Sequence, residues 1–268
     1  MRDFPETEPL SEDTDLSGHV WVQELFTGEP LCFRVAGSGF VEFGTCGEKF
    51  EGDVPLPFRR AARCVREGID RSALRGSVED TESVTFFGTA TLYEGLGYDW
   101  SDLPAFVGVD VWSDKKEAYL TPDAASSAYG SLGLVPLPAF EKETDAGRAD
   151  VDRYASGDLP ESRFRDGTAA GVLVRDKSGG RGAVRRDVTD DAGERSPEEV
   201  VSRYITGNRV QKAAKDAGTS DEELEEILDR VTEAVVRERY ASLYGGRDSV
   251  TDESEVRSMV AERVRRHV

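Results

Sequence analysis

Short apolar runs punctuated by glycine dominate the first two thirds of this chain, and helical spacing takes over in the last third. Residues 20–25, apolar except for Gln23 and Glu24, run on to Gly28, which reads as a short strand entering a tight turn. Leu31-Cys32-Phe33-Arg34-Val35 and Phe40-Val41-Glu42-Phe43-Gly44 predict two more strands. Apolar runs at 83–89, 106–111, 170–175 and 181–186 predict four others. Helical spacing marks 58–69, entered through Pro55 and Pro57, and 122–132, with Thr121 as N-cap and Gly133 just past the end. Residues 1–17 read as a flexible lead-in, and the polar stretch 187–196, with Gly193, reads as a linker. Beyond it Ser196-Pro197-Glu198-Glu199 opens a helix. A second opens at Ser220 with Glu223 completing a capping box, and carries Leu224, Ile227, Leu228, Val231 and Val235 on one stripe. A third starts near Asp252. The pattern predicts an α+β core over 18–190 and a small all-α domain over 196–268.

Five of these runs, in order, resemble the motifs of the ATP-dependent RNA ligases of the second type, with the related DNA ligases and capping enzymes. Val20-Trp21-Val22-Gln23-Glu24-Leu25-Phe26-Thr27-Gly28 is similar to the strand that carries the nucleophilic lysine, with Leu25 in the lysine's place. Ser83-Val84-Thr85-Phe86-Phe87-Gly88-Thr89 resembles a strand ending in Phe-Gly-Glu, with Thr89 for the ribose-binding glutamate. Phe106-Val107-Gly108-Val109-Asp110-Val111 has Val109 where an aromatic stacks on adenine. Ala170-Gly171-Val172-Leu173-Val174-Arg175 has Ala170 for a glutamate near the metal and phosphates. In Arg181-Gly182-Ala183-Val184-Arg185-Arg186, Ala183 and Arg185 stand where two lysines grip the α-phosphate. Strand and glycine letters survive while reactive letters go.

The resemblance implies a nucleotidyltransferase core. It implies a nucleotide pocket at Gln23, Glu24, Gly28, Gly88, Thr89, Val109, Ala170 and Arg175, with phosphate contacts from Arg181, Arg185 and Arg186. It also implies ATP and Mg²⁺ as cofactors if the protein is active, and RNA or a nicked duplex as partner. Tyr204-Ile205-Thr206-Gly207-Asn208-Arg209-Val210 is similar to the start of the helical domain appended to those RNA ligases, though a plain helical cap would read the same. Leucine has no lone pair and cannot form a phosphoramidate, so self-adenylation through residue 25 is not expected.

Other residues offer less. Glu48-Lys49-Phe50-Glu51-Gly52 also spells Glu-Lys-x-acid-Gly, so Lys49 is the alternative nucleophile. Its context, a glycine-containing loop before and prolines after, favours a solvated lysine. The arginines at 175, 181, 185 and 186 could hold phosphates, or pair with Asp176 and Asp187. Asp99 and Asp102 around Trp100 could hold a metal, or simply decorate a loop. Lys177-Ser178-Gly179-Gly180 lacks P-loop spacing. Two histidines, His19 and His267, leave little material for a histidine mechanism. Cys32, Cys46 and Cys64 show no zinc-ligand spacing, and Cys32 and Cys64 read as core packing.

Charge sets the solvent. The 268 residues carry a formal net charge of -19, and only seven of the 34 basic residues are lysine. An acidic surface of this kind repels itself in dilute buffer and suits concentrated salt, where the Debye length falls to about 3 Å at 1 M. That points to a salt-loving, haloarchaeal source. No apolar run reaches about 18 residues and nothing reads as a secretory signal, so a cytoplasmic protein is expected. Three functions fit: a fold that has lost self-adenylation and binds a nucleotide, a nucleic-acid end or a partner protein; a working ATP-dependent polynucleotide ligase with a displaced lysine; or an interaction scaffold that binds no nucleotide.

Overall fold

A computed structural model describes residues 1–45, 47–188, 196–217, 224–244 and 252–267. The chain divides into two units. The first comprises Met1–Val54, Ala61–Thr91 and Gly97–Asp187. The second comprises Pro55–Arg60, Leu92–Leu96 and Val188–Val268.

Two sheets build the first unit. One has five strands: β1 (Glu8–Pro9), β2 (His19–Leu25), β9 (Ala139–Asp145), β10 (Gly171–Asp176) and β11 (Arg181–Arg185), in the order β1-β11-β10-β2-β9. The other has six: β3 (Gly28–Val35), β4 (Val41–Thr45), β5 (Glu48–Lys49), β6 (Val84–Thr91), β7 (Phe106–Ser113) and β8 (Ala118–Tyr119), in the order β5-β4-β3-β6-β7-β8. Each apolar run read as a strand is one. Gly28, at φ +135°, is the point where β2 ends and β3 begins in the other sheet. A side chain there would strain the turn.

Helices α1 (Leu56–Gly68), α2 (Arg71–Ser77), α3 (Pro122–Ser131) and α4 (Val151–Ala155) connect the strands. Thr121 sits at the N-cap of α3, as its position predicts, but its hydroxyl makes no capping bond. One face of the six-stranded sheet is an aromatic core. Phe33 stacks on Phe86 at 4.8 Å, and Phe106 and Tyr129 meet these rings edge-on or tilted. Such pairs are worth about 0.5–1.5 kcal/mol beyond the area they bury. The β6–β7 register slips between Phe87 and Gly88. The Tyr129 hydroxyl lies within hydrogen-bonding reach of the Phe87 and Asp110 carbonyls at that bulge, 2.7 and 3.0 Å away. Gly108 makes room for the Tyr129 ring, because a Cβ there would lie 2.4 Å from it.

In the five-stranded sheet, Val20, Val22, Val172 and Val174 face Tyr154 and Leu159 in a second apolar cluster. The lead-in expected to be loose is not loose. β1 pairs in parallel with β11, Leu10 is buried in that same cluster, and Phe4 packs on the six-stranded sheet. Its isolated Phe4 and Leu10 supply the apolar anchors that an acidic composition hid.

The second unit is helical among the described residues: α5 (Pro197–Tyr204), α6 (Gly207–Ala217), α7 (Leu224–Tyr244) and α8 (Glu253–Val264). Ser196 caps α5 through Glu199 N, with Pro197 in the first turn as predicted. Asp252 caps α8. Most of the predicted linker and the Ser220–Glu223 capping box lie outside the described residues, as does Cys46. Val200, Tyr204, Val231, Val235, Val256 and Val260 pack into one core. α7 is kinked at Arg239, where φ is -139° and ψ 21°. The cause is visible. The Tyr93 N–H donates to the Arg237 carbonyl, and the Tyr93 carbonyl accepts from Ala241 N–H, each at 2.9 Å. A backbone segment has inserted between the i and i+4 partners of the helix, and an inserted group of this kind bends a helix. No described helix is long and apolar enough to cross a membrane.

Candidate functional site

Strand alternation decides which residues of β2 can reach a ligand. Val20, Val22 and Glu24 share one face, and Trp21, Gln23 and Leu25 the other. Leu25 ends the strand in the wall of a cavity of about 660 Å³ within the first unit. Gly28, Thr89, Val109, Arg181, Ala183 and Arg185 line the same cavity. Strands of both sheets thus converge on one volume, from stretches far apart in the sequence. The wall is apolar around Leu25, Val109 and Leu173, and its cations are Arg181 and Arg185. The described lining contains no lysine, histidine or cysteine. Its size is in the usual range for small-molecule sites.

Asp110 anchors the cationic side. It is buried and accepts from Arg175 Nη1 and from Arg181 Nη2, the latter at 2.8 Å. Arg175 also donates through Nε to Gln23 Oε1 at 2.7 Å and through Nη2 to the Val109 carbonyl at 2.9 Å. Gln23 Nε2 in turn donates to the Leu137 carbonyl at 3.2 Å. Burial lowers the Arg175 pKa while Asp110 pulls it back up. Arginine stays protonated regardless. The four arginines therefore do not act as one cluster. Arg175 is a buried tie between the sheets, and Arg181 shares its carboxylate. Arg185 donates to the Phe26 carbonyl at 3.1 Å at the cavity wall, and Arg186 is exposed and donates to Thr168 Oγ1 at 3.2 Å. The pairing with Asp176 and Asp187 suggested by sequence proximity is replaced, for Arg175 and Arg181, by Asp110. Asp176 instead gathers the backbone N–H groups of Ser178, Gly179 and Gly180, and of Ser17. Arg181 Nε is buried with no hydrogen-bond partner among the described residues, which suits an incoming anion.

Several candidates lie elsewhere. Glu24 points to the opposite face of β2, where Ser162 Oγ donates to it at 2.5 Å, and burial raises its pKa. Gly88 and Ala170 are buried outside the cavity lining. A Cβ on Gly88 would lie 2.3 Å from the Phe106 ring, so this glycine serves packing. Lys49 sits on β5, half-exposed and ion-paired with Glu42, beside a separate hollow lined by residues 48–52. It does not line the main cavity. Asp99 accepts from Ser101 and closes a surface turn. The two residue sets that sequence reasoning missed are Asp110, visible only as one letter of a strand motif, and the segment Phe4–Leu10.

The divalent cation that the resemblance implies takes one or two carboxylates and completes its shell with phosphates and water. No described cluster of three or more His, Cys, Asp or Glu could hold one. Of the two carboxylates in the cavity lining, Glu8 and Asp110, the second has both oxygens taken by guanidinium groups.

Comparison with solved structures settles the fold. A Naegleria gruberi RNA ligase, in the apo form of a point mutant, superposes with a TM-score of 0.51 and 12% identity over 69% of this chain and 55% of that one. This is an RNA-ligase-type nucleotidyltransferase fold. The same Naegleria ligase with pyrophosphate gives a TM-score of 0.50 at 11% identity, covering 69% of this chain and 56% of that one. The chain thus spans little more than half the length of those ligases. An archaeal ATP-dependent RNA ligase aligns over 99% of this chain and 74% of that one at 19% identity, with a TM-score of 0.47. No family model matches the sequence, and no curated protein does. At these identities the likeness is one of fold, and the chemistry rests on the residues.

Proposed function

We propose that this chain is a ligase-like protein that no longer self-adenylates and instead holds a phosphate-bearing ligand, a nucleotide or an RNA end, in the cavity between its sheets. One observation carries the reading. The position that resembles the nucleophile, Leu25, faces the cavity, and the described wall around it offers arginines but no nucleophilic lysine. Thr89, Val109 and Ala183 stand around it in place of groups that would bind ribose, adenine and phosphate. Arg181 and Arg185 are suited to phosphate oxygens, which guanidinium groups meet in bidentate geometry. The same reading takes 18–190 as the ligand-binding domain and 196–268 as a helical domain that helps engage nucleic acid. It places the protein in a salt-rich, haloarchaeal cytoplasm.

The active-ligase alternative needs Lys49, which its ion pair with Glu42 and its position outside the cavity lining disfavour. A test is fluorescence anisotropy with 5′-phosphorylated single-stranded RNA and with a nicked duplex, titrated at several KCl concentrations. Two arginine–phosphate contacts predict a log–log salt slope of about -1.4 for single strands and about -1.8 for duplex. Arg185→Ala should weaken binding and flatten that slope by roughly half. Equal, negligible binding by wild type and variant at every salt concentration would leave the scaffold reading as the survivor.

A further inference from the structure

We infer that residues 2–10 form a strap across the cavity, and that this strap must lift before a ligand enters. The inference deepens the proposed function and rests on it for the nature of the ligand. The strap is tied to both sheets. At its start the Arg2 guanidinium lies 3.6 Å from the Trp112 ring centroid. The Tyr119 hydroxyl donates to the Asp3 carbonyl at 2.8 Å, and the Phe4 ring meets Phe87 edge-on at 4.9 Å. All three anchors are on the six-stranded sheet. At its other end β1 pairs with β11, and Leu10 N donates to the Ala183 carbonyl at 2.8 Å. That anchor is on the five-stranded sheet. Between the anchors, Pro5, Thr7, Glu8 and Pro9 form a wall of the cavity. Beneath it Leu25 is 5% exposed and Thr89 7%, although both line an open volume.

The strap is built to be weak. Its β-pairing is two residues long, and Pro9 has no N–H to give. The first anchor is a cation–π contact, one ring edge and one hydrogen bond. Glu8 shares the cavity lining with Arg181 and Arg185, and Glu6 lines an adjoining hollow with Arg181, so an anion arriving at these cations meets the acids of the strap. A binding-competent state that is only partly populated lowers apparent affinity by its population.

The test reads access without any ligand. Leu25→Cys is labelled with iodoacetamide, and the rate at that peptide is followed by mass spectrometry in three backgrounds: the intact strap, Arg2→Ala with Phe4→Ala, and a chain lacking residues 2–7, which keeps Leu10 in its cluster. Thr89→Cys provides a second reporter if Leu25→Cys folds poorly, and melts confirm cooperative unfolding in each. Labelling should accelerate on the order of tenfold once the first anchor is gone, the equivalent of about 1.4 kcal/mol. Equal rates in all three backgrounds at both reporters would overturn the strap. A parallel titration with mant-ATP separates the two claims. Faster labelling with no mant-ATP binding by any form keeps the strap and removes the nucleotide reading. Unchanged labelling with mant-ATP bound equally by every form removes the strap and keeps the nucleotide reading.

Discussion

Replacing Asp110 by alanine leaves two guanidinium groups without their carboxylate, and one of them cannot reach water. The Arg175 side chain is 5% exposed and that of Arg181 14%, against 2% for Asp110. Removing one partner of a buried pair costs about 3–5 kcal/mol, because an uncompensated charge stays behind. Arg181 can turn outward and adds little. Arg175 keeps Gln23 Oε1 and the Val109 carbonyl, which neutralise none of its charge. For a unit of this size each kcal/mol shifts the melting temperature by roughly 2–4 °C, so the loss is about 6–20 °C. Trp21, Trp100 and Trp112 all lie in the first unit, so intrinsic fluorescence reports its unfolding directly. Asp110→Ala combined with Arg175→Met should recover part of the loss, since an apolar replacement removes the stranded charge. An Asp110→Ala protein that melts within about 1 °C of wild type would refute the claim that this carboxylate ties the sheets together.

Glu24 carries a pKa raised by burial, so its contribution to stability is fully present below the usual glutamate range and is lost as pH rises through the raised value. Glu24→Gln keeps the Ser162 bond and should melt higher than wild type near pH 7.5, with the difference closing near pH 4; a difference independent of pH, or of opposite sign, would contradict this. Gly108→Ala forces a Cβ to within 2.4 Å of the Tyr129 ring and should cost about 1–3 kcal/mol in denaturant titrations; wild-type stability would mean the ring does not pack there. With a formal net charge of -19, the melting temperature should climb as KCl rises from millimolar to molar, and flat or falling melts would remove the salt-loving reading.

Seven strands were legible from short apolar runs, covered on both faces in β2 and β6, whereas β9, with the sequence Ala-Phe-Glu-Lys-Glu-Thr-Asp and a largely uncovered face, carries no such run and was not read. Leu25, singled out by its resemblance to a motif position, ends β2 in the cavity wall. What could not be read was pairing across the fold. Arg175 and Asp110 are 65 residues apart, and nothing local in either strand selects one for the other. Proximity along the chain favoured Asp176 for Arg175, but Asp176 is consumed by the turn that joins β10 to β11. The strap escaped for a different reason. Two apolar residues in an acidic segment satisfy no periodicity, and their value appears only when Phe87 and the edge of β11 are already in place. The kink in α7 likewise needs Tyr93, far earlier in the chain.

The central claim is that the fold persists while covalent nucleotide chemistry through a lysine does not. Intact-mass spectrometry after incubation with ATP and Mg²⁺ in molar KCl tests it directly. The account predicts a mass unchanged from the apoprotein, in wild type and in Lys49→Ala alike. A gain equal to one AMP in wild type that disappears in Lys49→Ala would contradict the account and make Lys49 the nucleophile of a working ligase.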